Sequence, residues 1–147
     1  MKKIQSLFVR DYEGNRQVTP EVEEGSEWVL NGEGQAYRKW DGTSCMIKDG
    51  EIYKRYDAKK GKTPPAGAIP CEEKPNEHTG HWPHWVKCEK SNKADKWHIE
   101  TFERNQELAN GTYELIGPKI NGNRENREKH YLLRHNHRLN KLNFSSL

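Results

Sequence analysis

The sequence predicts an α+β fold, antiparallel sheets with few helices, and three observations carry that prediction. Asp-Gly, a strong two-residue hairpin signal, occurs at Asp41-Gly42 and Asp49-Gly50. The second pair lies between Thr43–Lys48 and Glu51–Tyr56, two runs rich in strand-favouring residues. One stretch alone, Lys93–Leu108, has a clearly helical composition.

At 147 residues the chain is long enough for one domain, 1–147, and little more. Only 31% of it is hydrophobic, so a large dry core is not expected, and five Trp and six Tyr must do much of the apolar packing. A formal charge of +3 permits contact with phosphates without demanding it. The N-terminal apolar run is too short for a signal peptide, and no stretch approaches a membrane span. Three unevenly spaced cysteines fit a reducing, cytoplasmic setting better than a disulfide scaffold.

Taken in order, Lys3–Val9 alternates loosely and reads as a first strand, and polar Asp11–Gly25 as a connection. Glu27–Leu30 reads as a short strand, Asn31-Gly32 as a tight turn and Gln35–Lys39 as the next strand. Thr43–Lys48 and Glu51–Tyr56 follow. Period-two alternation puts Tyr53 and Arg55 on one face and Ile52, Lys54 and Tyr56 on the other. Ala58–Asn76 is rich in Lys, Pro and Gly and reads as a surface loop; its Lys59, Lys60 and Lys62 are either a solvated turn or a nucleic-acid contact. The segment His78–Trp85, flanked by Cys71 and Cys88, invites a zinc reading, but it has no Cys-x-x-Cys pair. A packed loop anchored by Trp82 and Trp85 is the preferred reading. Lys93–Leu108 is a helix capped by Asn92, with Ala94, Trp97, Thr101 and Leu108 near one stripe. Thr112–Ile116 and His130–Leu133 are further strands.

Chemistry concentrates in Tyr37–Lys62, YRKWDGTSCMIKDGEIYKRYDAKKGK, headed by Lys39-Trp40-Asp41-Gly42. A lysine amine attacks phosphorus only after losing its proton, and at an ordinary pKa of about 10.4 few lysines are neutral at pH 7. Nearby cations and loss of water favour the neutral amine. Arg38, Lys48, Lys54 and Arg55 are near Lys39 in sequence. Taken alone, the tetrapeptide also fits a hairpin turn with Lys39 a solvated strand end.

This block resembles motif I of the covalent nucleotidyltransferases, the ATP-dependent ligases and capping enzymes. With AIPCEEKPNEHTGHWPHWV and GTYELIGPKINGN it resembles one branch in particular, the RNA ligases of phage type with vertebrate 5′-3′ RNA ligase relatives. Ser44 stands where DNA ligases and capping enzymes usually carry arginine, which suits an RNA ligase. The resemblance runs from about Glu27 to Asn123.

It implies an antiparallel-sheet nucleotidyltransferase domain, with ATP and Mg²⁺ or Mn²⁺ as cofactors. Lys39 would be the catalytic nucleophile, forming lysyl-AMP, and the AMP would activate an RNA 5′-phosphate for attack by a 3′-hydroxyl. Trp40 would border the adenine pocket through its backbone, Asp41 and Gly42 would shape the loop, and Arg55 and Glu114 would hold ribose and phosphate. No protein ligand for the metal is identified. The family's motif IV glutamate and motif V lysine pair have no counterpart before Leu147, so the expected domain lacks its C-terminal part. Partners would then be RNA with 5′-phosphate and 3′-hydroxyl ends, ATP, no membrane, and a possible second polypeptide supplying the missing motifs. If phage-encoded, the protein would act in the cytoplasm of a bacterial host. The alternative is a non-catalytic relative, or one half of a split ligase, that only binds nucleotide or RNA.

Overall fold

The computed structural model describes residues 5–137 and the backbone of residues 141–142. Its elements are β1 (Phe8–Arg10), β2 (Val18–Val22), α1 (Glu27–Leu30), β3 (Ala36–Tyr37), β4 (Thr43–Lys48), β5 (Glu51–Ala58), β6 (Ile69–Pro70), β7 (Trp82–Lys87), α2 (Lys96–Glu103), β8 (Gly111–Ile116), β9 (Tyr131–Arg134) and β10 (Lys141–Leu142). Short 3-10 turns lie at Lys93–Asp95 and Asn121–Asn123. The protein is a small mixed α/β structure, mostly antiparallel sheet with few helices. It divides into two units: Lys39–His135, and the described residues of Lys2–Arg38 with Asn136–Leu147.

The first unit grows from the β4–β5 hairpin. Asp49 (φ 50°) and Gly50 (φ 77°) both take positive φ, the type I′ geometry whose twist matches the flanking strands. β4 sits well inside a six-stranded sheet of order β6-β7-β5-β4-β8-β9, antiparallel throughout. Cys45 lies opposite Lys54 on one side and Tyr113 on the other, so these three share a face. That face carries the core: Cys45, Ile47, Ile52, Tyr113, Leu115 and Leu132, covered by Phe102 of α2. Ser44 lies opposite Glu114 on the other face.

Helix α2 is shorter than its composition predicts. Asn92 caps the preceding 3-10 turn as expected, its Oδ1 accepting the Ala94 N–H at 3.0 Å. The helix stops at Glu103 because Asn105 turns back, its Nδ2 donating to the Thr101 carbonyl at 2.8 Å. Thr101 and Phe102 are buried against the sheet, and Trp97 stacks on His130 with ring centroids 4.5 Å apart. The expected loop around Trp82 and Trp85 is instead strand β7, paired with β5 from Tyr53↔Lys87 to Ala58↔Trp82. Both tryptophans remain anchors: Trp85 is buried, and Trp82 Nε1 donates to the Glu72 carbonyl at 2.7 Å. Ala58–Asn76 is mostly loop, with β6 inside it.

In the second unit the expected strand Glu27–Leu30 is one turn of helix, bracketed by Gly25 (φ 90°) and Gly32 (φ 77°). The Glu27 carboxylate accepts the Gly25 N–H at 2.9 Å and tightens that turn. The expected connection Asp11–Gly25 contains β2, which pairs with β1 and is pinned by Thr19 Oγ1 donating to the Val9 carbonyl at 2.9 Å. Only Ala36–Tyr37 of the predicted Gln35–Lys39 strand is extended in a ladder, and its partner is β10. The start of the predicted strand Lys3–Val9 lies outside the described residues. Among the described residues, no helix is long and apolar enough to cross a membrane.

Candidate functional site

The site is built around the chain entering β4. Lys39 is exposed and Trp40 half-buried in the irregular stretch before the strand. Gly42 is required by close approach: a Cβ there would lie 2.0 Å from the Leu115 carbonyl oxygen and 2.9 Å from Ile116 Cγ2. The start of β4 therefore runs hard against the end of β8, which only glycine permits.

The loop after β8 folds back over the Lys39–Gly42 segment. Asn121 Nδ2 donates to the Gly42 carbonyl at 2.6 Å. The Arg127 guanidinium lies 5.5 Å from the Trp40 ring centroid, a cation–π contact. Arg124 Nη1 is 3.6 Å from Asp41 Oδ2, an exposed pair that contributes little stability. The loop turns this sharply because Asn121, Gly122, Asn123 and Asn126 all adopt positive φ, a region asparagine and glycine tolerate best. Asn123 closes it by accepting the Arg127 N–H and donating to the Arg127 carbonyl.

Further along the sheet, β5 and β8 flank β4. Glu114 is only 14% exposed: its Oε1 accepts from Ser44 Oγ at 3.3 Å and pairs with His135 Nε2 at 2.9 Å. Arg55 alternates with Lys54, so it lies on the Ser44–Glu114 face, roughly 10 Å from Glu114 across two strand spacings. Its guanidinium is 5.6 Å from the Trp85 ring centroid, with Nε 3.5 Å from Asp57 Oδ1. Glu114 and Arg55 are thus partly buried and braced by neighbours rather than solvated.

Two of the cations near Lys39 in sequence are committed elsewhere. Lys48 sits at the hairpin end of β4, and Lys54 turns to the core face, where its Nζ bonds Asp95 Oδ1 at 2.5 Å. Asp95 is fully buried and also accepts the Glu89 N–H at 2.9 Å. His98 lies buried near this pair, and burial pushes its pKa down, against the pull of Asp95. Burial pushes the Cys45 thiol well up, with smaller contributions from Cys88 and Glu114, and pushes the Cys88 thiol up to about 12.

The histidine-rich stretch is dispersed. His84 is buried, with Nδ1 2.8 Å from the Trp82 carbonyl, while His78 and His81 are exposed. Among the described residues no group of three or more His, Cys, Asp or Glu is placed to hold a metal ion.

Sequence reasoning missed His135, Asn121, Arg124 and Arg127. The run of asparagines and glycines after Ile120 was the available signal, since it marks a loop able to fold back tightly. His135 gave none, because its partner is known only once β8 and β9 pair. No protein-family model matches this chain, and no curated protein matches it at a significant level.

Proposed function

We propose that this protein is an ATP-dependent nucleotidyltransferase of RNA-ligase type, built on the antiparallel sheet of the covalent ligases. The observation that supports this reading best is an adjacency. The Lys39-Trp40-Asp41-Gly42 segment runs directly into β4, whose Ser44 lies opposite Glu114 and whose neighbouring strand carries Arg55 on the same face. A lysine from the segment entering β4, an anion-binding fork from β5 and a carboxylate acceptor from β8 are an arrangement a nucleotide bound along the sheet would need.

In this reading the neutral Lys39 amine attacks the α-phosphorus of ATP. A nitrogen–phosphorus bond forms, the bond to the bridging oxygen breaks, and pyrophosphate leaves with the electron pair. The AMP then passes to an RNA 5′-phosphate, and a 3′-hydroxyl displaces it to seal the strand. Arg55 offers two parallel N–H donors to phosphate or ribose oxygens. Glu114 accepts from a ribose hydroxyl, and Trp40 borders the base. Mg²⁺ or Mn²⁺, when bound to the nucleotide's phosphates, screens their charge. The roles this reading gives the chain itself are nucleophile, fork and carboxylate.

A second reading, a relative or half-ligase that binds nucleotide or RNA without reacting, is favoured by Glu114 being already bonded to His135 and Ser44. Intact mass after incubation with ATP and Mg²⁺ separates the two. One added AMP on the wild type and none on Lys39→Ala is expected. A folded wild type that gains no AMP overturns the enzymatic reading.

A further inference from the structure

Glu114 is held by a chain of hydrogen bonds that runs back into its own strand. His135 Nε2 lies 2.9 Å from Glu114 Oε1, and His135 Nδ1 lies 3.0 Å from Thr112 Oγ1. The His135 backbone is fixed too, its N–H donating to the Thr112 carbonyl at 3.2 Å. Thr112 and Glu114 are two apart on β8, so they share a face, and the imidazole spans them.

Donor and acceptor roles follow from chemistry. An ionised carboxylate only accepts, so Nε2 carries the proton. In the neutral ring Nδ1 is then bare and accepts from the Thr112 hydroxyl. Ser44 Oγ donates to the same carboxylate oxygen, Oε1, at 3.3 Å. Two donors thus converge on Oε1, in a setting where His135 is 19% and Glu114 14% exposed. Oε2 is the oxygen left to accept from a ligand.

We propose that His135 is a positioning residue: it locks the Glu114 carboxylate by its Oε1, so that Oε2 is presented in one orientation to a ribose hydroxyl of the bound nucleotide. This rests on the nucleotidyltransferase reading. A glutamate has three side-chain torsions to fix, and anchoring one oxygen in advance removes most of that freedom before the ligand arrives. Ser44 is the weaker anchor, at the longer distance.

The test is equilibrium binding of ATP to the wild type, His135→Ala, His135→Gln, Glu114→Ala and the His135→Ala/Glu114→Ala double variant, each checked for folding by its melting transition. Loss of a hydrogen bond to a charged group corresponds to a loss of about tenfold in affinity. His135→Ala is expected to show that loss. His135→Gln, whose amide N–H can replace Nε2–H, should recover to within about threefold. The double variant should bind no more weakly than Glu114→Ala, because both changes remove one device. A folded His135→Ala with wild-type affinity, or a full further loss in the double variant, overturns the proposal. Where His135→Ala does not fold, His135→Phe keeps a ring of similar size and removes the Nε2–H donor; a folded His135→Phe with unchanged ATP affinity overturns the proposal equally. A wild type that binds no ATP sinks the nucleotidyltransferase reading and this proposal with it, whereas loss confined to the variants' predicted pattern sustains both.

Discussion

Asn121 donates from Nδ2 to the carbonyl of Gly42 at 2.6 Å, across 79 residues of sequence. The bond joins the loop after β8 to the segment that carries Lys39, at the point where a side chain on Gly42 would collide with the β8 backbone. The Lys39–Gly42 segment and the loop that covers it are therefore one structural piece.

Gly42→Ala should destabilise the protein by about 3 kcal/mol or more, since the added methyl meets a backbone carbonyl that cannot swing away. Asn121→Ala should cost about 1–2 kcal/mol from the lost bond and from alanine at φ 47°. Asn121→Gly should cost less, because glycine accepts that conformation. Urea unfolding of the three variants checks the order, and a Gly42→Ala protein as stable as wild type would refute the account of the β4–β8 approach.

The Lys54–Asp95 pair predicts an asymmetric mutant series. Among the described residues, Lys54→Met leaves the buried Asp95 carboxylate with the Glu89 N–H as its remaining hydrogen-bond donor, and should cost about 3–5 kcal/mol. Replacing both residues by apolar ones of similar volume should recover part of that loss. Denaturant midpoints decide it; a double variant less stable than Lys54→Met would show that the pair is not the coupled unit described.

His98 and His130 predict acid sensitivity. Both have pKa values lowered, chiefly by burial. Asp95 opposes the shift at His98; at His130 Glu100 opposes it, while Arg104 and Lys119 reinforce it. His130 Nε2 also accepts the Lys119 N–H at 3.1 Å, a bond that only an unprotonated nitrogen can make. Below the ordinary histidine value of about 6.5 the unfolded chain takes up protons that the folded chain refuses, so stability falls as pH falls. Urea midpoints should drop from pH 7.5 to pH 5.5, and the drop should shrink in His98→Leu. An equal drop in that variant would remove His98 from the explanation.

The three cysteines should differ sharply in reactivity. Cys45 and Cys88 are buried and their thiols pushed up, to about 12 for Cys88, so little thiolate exists at neutral pH. Cys71 is partly exposed and raised less. A thiol-exchange reagent should label Cys71 first in the native protein and all three after unfolding. Rapid native labelling of Cys88 would contradict the packing of Ile52 and Phe102 around it.

Local signals account for much of what was legible. The Asp49-Gly50 turn, the alternation that separates Lys54 from Arg55, and the Asn92 cap are all determined by a few neighbouring residues, and each lies where the sequence predicts. Glu27–Leu30 was misread because four apolar-rich residues carry too little periodicity to separate a strand from a helical turn. Trp82–Lys87 was misread because proline, histidine and tryptophan together suggest a loop, whereas pairing with β5 on one side and β6 on the other holds the segment extended. Tertiary pairing overrides weak local preference here.

The sequence by itself determined the hairpin and the alternation that puts Arg55 on the face opposite Lys54, because turn chemistry and period-two alternation act over a few residues. Only the tertiary structure decided that Ser44 faces Glu114, that His135 reaches that carboxylate, that Asn121 holds Gly42 and that Lys54 is committed to Asp95. Each of these joins residues at least twenty positions apart, and which strands lie side by side is settled by long-range ladder pairing and by the core shared among β4, β5, β8, β9 and α2, which no short stretch encodes.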